Sequence, residues 1–158
     1  METRNIMKTN LEEAIKKISD KYSHILTQEK LLEMANLSIQ SKTNSYSPYS
    51  KFRVGCCLLT SDGKLFTGTN VENVSFGLSV CAERCAVFNA VSQGAKKITV
   101  AVVCTDMEYV ITPCGACRQV LVEFGLENCF CLSLNDINHM TAEELLPSSC
   151  QIDHLKKE

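Results

Sequence analysis

The run Ile-Thr-Val-Ala-Val-Val-Cys at Ile98–Cys104 constrains the fold of this chain more than any other segment. It holds no charge and no apolar–polar alternation. A strand of that kind needs cover on both faces. It therefore belongs inside a sheet with helices above and below. The flanking sequence can supply both layers. Residues 28–43, QEKLLEMANLSIQSKT, predict a helix with Thr27 as N-cap. Phe52–Thr60, FRVGCCLLT, reads as a buried strand, Ser61-Asp62-Gly63 as a hairpin turn and Lys64–Thr69 as the return strand. Asn70–Val80 has no clean period and reads as a loop. Cys81–Gln93 predicts a helix with a small-residue stripe of Ala82, Cys85, Ala86, Asn89 and Ala90, stopped by Gly94. Thr112-Pro113 opens another helix over about 114–124, which Gly125 ends. Cys129–Leu134 reads as a further strand, and Thr141–Glu144 as a capping box before a short helix that Pro147 stops. This order predicts the α/β class: a three-layer α/β/α sandwich around a mixed sheet.

The 158 residues suit one domain over 27–158, preceded by an extension, 1–26, that is helical or disordered. Within the extension, LEEAIKKISDKY places Leu11, Ala14, Ile15 and Ile18 on one helical side. The tail QIDHLKKE is polar. A net charge of -2 argues against tight, non-specific nucleic-acid binding but allows an uncharged nucleoside. No apolar run reaches membrane-span length, and METRNIMKTN has no signal-peptide core, so the expectation is a cytoplasmic protein without a membrane partner.

Ten cysteines would suit a secreted disulfide framework, but neither the N-terminus nor the chain length fits one. Cys56, Cys57, Cys104, Cys129 and Cys131 lie in apolar runs and read as buried, reduced thiols. Two short signals differ from these: Cys81-Ala82-Glu83, and Pro113-Cys114-Gly115-Ala116-Cys117. Both fall where a loop becomes a helix. Cys-x-x-Cys in a first turn brings two sulfurs together, and Cys81 can supply a third to a zinc ion. Helix N-termini favour thiolates, and Arg84 adds positive charge to tune such a centre. The fourth position stays open. If water fills it, Glu83 is placed to move that water's protons, as in base deaminases with the pattern H-x-E…P-C-x-x-C, with Cys81 in the histidine place. If Cys85 fills it, the site is a closed four-cysteine structural centre in a non-catalytic interaction protein. Four reduced cysteines without metal, or a redox Cys114–Cys117 pair, are further readings.

Residues of about 28–150 resemble the small, tetrameric, zinc-dependent cytidine deaminases. The segments that carry the resemblance are SYSPYSKFRVGCCLLTSDGKLFTGTNVEN, CAER, PCGACRQVLVEFG and ELLPSS, in that order. The resemblance implies a sheet of about five strands. It also implies hydrolytic deamination of cytidine and 2′-deoxycytidine to uridine and 2′-deoxyuridine with release of ammonia, a reaction of pyrimidine salvage. It implies one zinc per subunit and a homotetramer whose active sites are shared between subunits. On matching positions it implies that Cys81, Cys114 and Cys117 hold the metal and Glu83 shuttles protons. Phe52 would pack on the pyrimidine and ribose, Asn70 and Glu72 would bond the ribose 3′-hydroxyl, and Tyr49 would reach a neighbouring site. The sequence departs from the family at Val74, usually a small residue, at Phe76, usually tyrosine, and at Cys150, usually phenylalanine. A deaminase of another cytosine nucleoside, such as a blasticidin-type antibiotic, is the rival enzyme. Polynucleotide editing would call for a basic groove or aromatic tract, and the sequence offers neither.

Overall fold

The computed structural model describes residues 13–150. Leu11, the first ten residues and the tail QIDHLKKE lie outside the described residues. Ten α-helices and strands, with one 3-10 turn at Phe76–Leu78, make up the rest: α1 (13–22), α2 (Gln28–Lys42), β1 (Val54–Thr60), β2 (Leu65–Thr69), α3 (Ala82–Ser92), β3 (Ile98–Thr105), α4 (Gly115–Glu123), β4 (Asn128–Leu132), β5 (Ile137–Thr141) and α5 (Ala142–Leu145). The strands form one sheet in the order β2-β1-β3-β4-β5. The β3–β4 pair is parallel and the other three pairs are antiparallel.

The apolar run of β3 is central and buried on both sides. Ala101 and Val103 join Cys56, Cys129, Cys131 and the helices α3–α5 in one core. Val100, Val102 and Cys104 join Cys57 and Phe130, with Ile15 of α1 and Leu31 and Met34 of α2, in the other. This is the three-layer sandwich the run requires. Each fully buried valine or leucine in it stabilises the fold by about 1.5–3 kcal/mol. Cys56, Cys57, Cys104, Cys129 and Cys131 are buried and free, as their apolar surroundings predict.

Local signals set the element ends. Thr27 accepts from the Lys30 N–H at 3.2 Å and starts α2. Thr141 and Glu144 form the capping box of α5. Gly94 and Gly125 take φ of 92° and 78° after α3 and α4. Three expected boundaries change. Phe52 and Arg53 precede β1, because the Phe52 N–H donates to Ser50 Oγ and its carbonyl accepts from Asn70 Nδ2. β4 stops at Leu132, where Ser133 turns back to Asp136. The segment Ile137–Thr141, which had no predicted strand, forms the edge strand β5.

Two glycines let helices lie directly on the sheet. A Cβ on Gly55 would stand 2.0 Å from the Ser38 carbonyl of α2. One on Gly68 would stand 2.3 Å from the Ala86 nitrogen and 2.5 Å from the Ala82 carbonyl of α3. At the end of β3, Lys42 of α2 donates to the Thr105 carbonyl at 3.1 Å and pairs with Asp106 at 2.8 Å, which also pairs with Arg53 at 2.8 Å. Burial opposes the Asp106 charge, yet these two cations hold its carboxyl below the usual range. A depressed carboxyl stabilises the fold above its unfolded pKa, and that contribution fades as pH falls through the folded value. Asp106→Asn is expected to lower stability by about 1 kcal/mol after solvent screening. Urea melts should show this deficit at pH 7 and its shrinkage below about pH 4; an equal deficit at all pH values would contradict it. Among the described residues no helix is long and apolar enough to cross a membrane.

Candidate metal centre and its cavity

Cys81 and Cys114 are the N-cap residues of α3 and α4, both with extended backbone. An N-cap side chain commonly accepts from a free N–H of the first turn. Neither cysteine does so, which leaves both sulfurs for another partner. Cys117 follows in the first turn of α4 and is buried. Arg118 fixes the approach to α4: its guanidinium donates to the Pro113 carbonyl, the Thr112 hydroxyl and the Leu145 carbonyl, all within 2.8 Å. α3 in turn lies against Gly68. Two helix N-termini are thereby brought together on one side of the sheet.

The sulfurs of Cys81, Cys114 and Cys117 all lie within 4.8 Å of one another, the one such group of potential ligands among the described residues. Cys81 and Cys114 sulfurs are 3.9 Å apart. Zinc–sulfur bonds of about 2.3 Å in a tetrahedron put sulfurs about 3.8 Å apart. The donor set and its spacing therefore fit zinc. Cys85, one turn further along α3, is not in the group. The Arg84 guanidinium donates to Cys81 Sγ at 3.6 Å and to the Ser79 carbonyl at 3.3 Å. The Cys81 thiol is held down to about 5, chiefly by the hydrogen bond from Cys117, with Arg84 and Cys114 adding to it against burial. The same bond pushes the Cys117 thiol up.

Glu83 sits one residue into α3 and is 4% exposed. Burial raises its carboxyl, its own backbone N–H opposes that, and the Cys81 charge adds to the rise. A cavity of about 330 Å³ opens beside it. Phe52, Asn70, Glu72, Cys81, Glu83 and Cys114 all line this cavity, so the structure gathers these six predicted residues in one place. Tyr49 does not line it. Its ring is half exposed and meets Phe76 edge-on, with centroids 5.8 Å apart. Val74 and Phe76 are 77% and 73% exposed and also stand outside the lining. Cys150 is exposed, and its carbonyl accepts from Gln119.

Asn70 is more than a ligand candidate. Its Oδ1 accepts from the Ser45 hydroxyl at 2.6 Å and the Val54 N–H at 2.8 Å, and its Nδ2 donates to the Phe52 carbonyl at 2.8 Å. Glu72 Oε2 accepts the Tyr49 and Ser50 N–H groups at 3.0 and 3.2 Å, and Oε1 accepts from the Ser50 hydroxyl. Those bonds, Ser50 first, hold the Glu72 carboxyl below its ordinary value. Ser50, Val103, Ile111 and Thr112 also line the cavity, though sequence reasoning did not single them out. Thr112 could have been found beside Pro113-Cys114; the others carry no local signal.

The family model of the cytidine and deoxycytidylate deaminase zinc-binding region matches residues 27–133. A probable cytidine deaminase of Dictyostelium discoideum is 52% identical over 101 residues, covering 63% of this chain and 69% of its own. A cytidine deaminase of Halalkalibacterium halodurans is 42% identical over 115 residues, covering 71% of this chain and 87% of its own. The crystal structure of a cytidine deaminase from Burkholderia pseudomallei superposes with a TM-score of 0.71 at 38% identity, covering 75% of this chain and 97% of that one.

Proposed function

This chain belongs to the zinc-binding cytidine and deoxycytidylate deaminase family and deaminates cytidine, and we propose that Cys81, Cys114 and Cys117 are its zinc ligands and Glu83 its proton carrier. One observation carries the assignment: a buried carboxylate lines the same cavity as two of three clustered sulfurs. A zinc ion held by the Cys81, Cys114 and Cys117 thiolates would supply an activated water, because the metal lowers that water's pKa towards neutrality. Glu83, in the lining of the cavity, is placed to take a proton from the attacking water and deliver it to N3 of the cytosine ring. It then carries a second proton to the departing amine, so that water and cytidine give uridine and ammonia. Burial suits the carboxyl to this exchange, since a raised pKa lets it hold a proton and release it. Arg84 offsets the charge of the sulfurs.

Hydrogen-bond capacity supports the sugar roles that the family resemblance implies for Asn70 and Glu72. Asn70 Oδ1 is filled, and its Nδ2 keeps one N–H. Glu72 Oε2 is filled, and Oε1 keeps a lone pair. A sugar 3′-hydroxyl that accepts from Asn70 and donates to Glu72 satisfies both, while Phe52 covers the ring. Cytidine and deoxycytidine share that hydroxyl and both serve as substrates in this reading. The lining holds the Glu72 carboxylate and no Lys or Arg, which disfavours a 5′-phosphate. Further copies of the chain dock on the exposed apolar rim of Tyr49, Val74, Phe76 and Leu78 and build a tetramer that places Tyr49 at a neighbour's cavity.

Ammonia release with cytidine, deoxycytidine, CMP and cytosine in parallel tests the assignment. The two nucleosides should react with similar kcat/KM, and CMP on the order of 10²-fold more slowly. Preference for CMP or for free cytosine would overturn it.

A further inference from the structure

We infer that Ser50 is a positioning residue of the sugar subsite, holding the Glu72 carboxylate and the Phe52 backbone in the places where a nucleoside needs them. The inference rests on the reading of Glu72 as the acceptor of the 3′-hydroxyl. Among the described residues, Ser50 is the one whose side chain hydrogen-bonds both Glu72 and the Phe52 backbone. Its hydroxyl hydrogen goes to Glu72 Oε1, and its oxygen accepts the Phe52 N–H at 3.0 Å. Its own N–H, with that of Tyr49, fills Glu72 Oε2. The carboxylate is thus fixed at both oxygens, and the remaining lone pair lies on the oxygen that Ser50 also holds.

The surrounding loop is built to make this contact. The Lys51 N–H bonds back to the Ser47 carbonyl at 3.1 Å, and Lys51 takes φ of 58°. A side-chain-bearing residue in the left-handed region costs about 1 kcal/mol and is kept only where neighbouring contacts enforce it. Here the turn aims two consecutive N–H groups and one hydroxyl at a single carboxylate. The loop is tied from its other side as well, since Tyr46 and residues 70–72 exchange backbone bonds of 3.1 and 2.8 Å. Without the Ser50 hydroxyl, Glu72 Oε1 loses its one hydrogen-bond partner among the described residues and can turn from the sugar. The expected loss therefore falls on recognition of the 3′-hydroxyl and shows in KM before kcat.

The test compares deoxycytidine with 2′,3′-dideoxycytidine, which differ only in that hydroxyl, on zinc-loaded protein. Ser50→Ala should reduce the preference for deoxycytidine about tenfold, mainly through KM, and Ser50→Thr should restore most of it. Ser50→Gly gives the same comparison should the alanine variant not fold. An equal loss on both nucleosides would mean a merely structural loop and would overturn the inference. Glu72→Gln separates the two claims. If it leaves the preference intact, the reading of Glu72 fails. If it abolishes the preference while Ser50→Ala does not, the role of Ser50 alone fails.

Discussion

Zinc-loaded Glu83→Gln protein is expected to release ammonia from cytidine at least about 10²-fold more slowly than the unaltered chain. The substitution keeps the size of the side chain, so a site where Glu83 is 4% exposed should stay packed. It removes the one function the mechanism needs, because a carboxamide neither takes nor returns a proton at neutral pH. Zinc content should remain one ion per chain, since in the proposed assignment the three sulfurs hold the metal without Glu83. Metal analysis beside single-turnover ammonia release therefore separates chemistry from metal loss. A zinc-loaded variant with full activity would sink the role of Glu83. A variant that has lost its zinc would instead make Glu83 part of the metal's support.

Legibility in the sequence followed the physics of each signal. β3 was readable because a strand buried on both faces cannot hide its composition, and the two cores divide its alternate residues. The clustering of the three sulfurs was readable because Cys-x-x-Cys in a first turn is a local geometry, and a Cys-x-Glu at another helix start restricts the rest. Spacing alone left Cys85 as a possible fourth ligand; the fold keeps it out of the sulfur group. β5 was not readable. Asn138 and His139 sit on an edge strand with one neighbour, and Ile137 is its only buried residue, which leaves little apolar pattern. Phe52 looked like strand core because composition does not reveal that its N–H and carbonyl go to Ser50 and Asn70. Ser50 itself had no signal, since its contact with Glu72 spans 22 residues of chain.

The glycine at 68 ties this fold to its chemistry, and Gly68→Ala should show it as a loss of both stability and metal. Ordinary overpacking costs about 1–3 kcal/mol because side chains can move aside. Here the added carbon would meet the backbone of α3 at 2.3 and 2.5 Å, and a helix backbone has no rotamer to change. At least about 3 kcal/mol is expected, a fall in Tm of roughly 6–12 °C at this chain length. The helix that must move carries Cys81 at its cap and Glu83 in its first turn, while Cys114 and Cys117 stay with α4. A displacement of a few tenths of an ångström opens the sulfur triangle and lowers zinc affinity. Gly55→Ala is the control. Its clash, 2.0 Å from the Ser38 carbonyl, is at least as severe, but the helix it displaces is α2, which carries no ligand. Calorimetry should find both variants destabilised, while zinc per folded chain and kcat fall only for Gly68→Ala. Equal zinc loss in the two would mean that the centre reads global stability rather than the seat of α3 on β2.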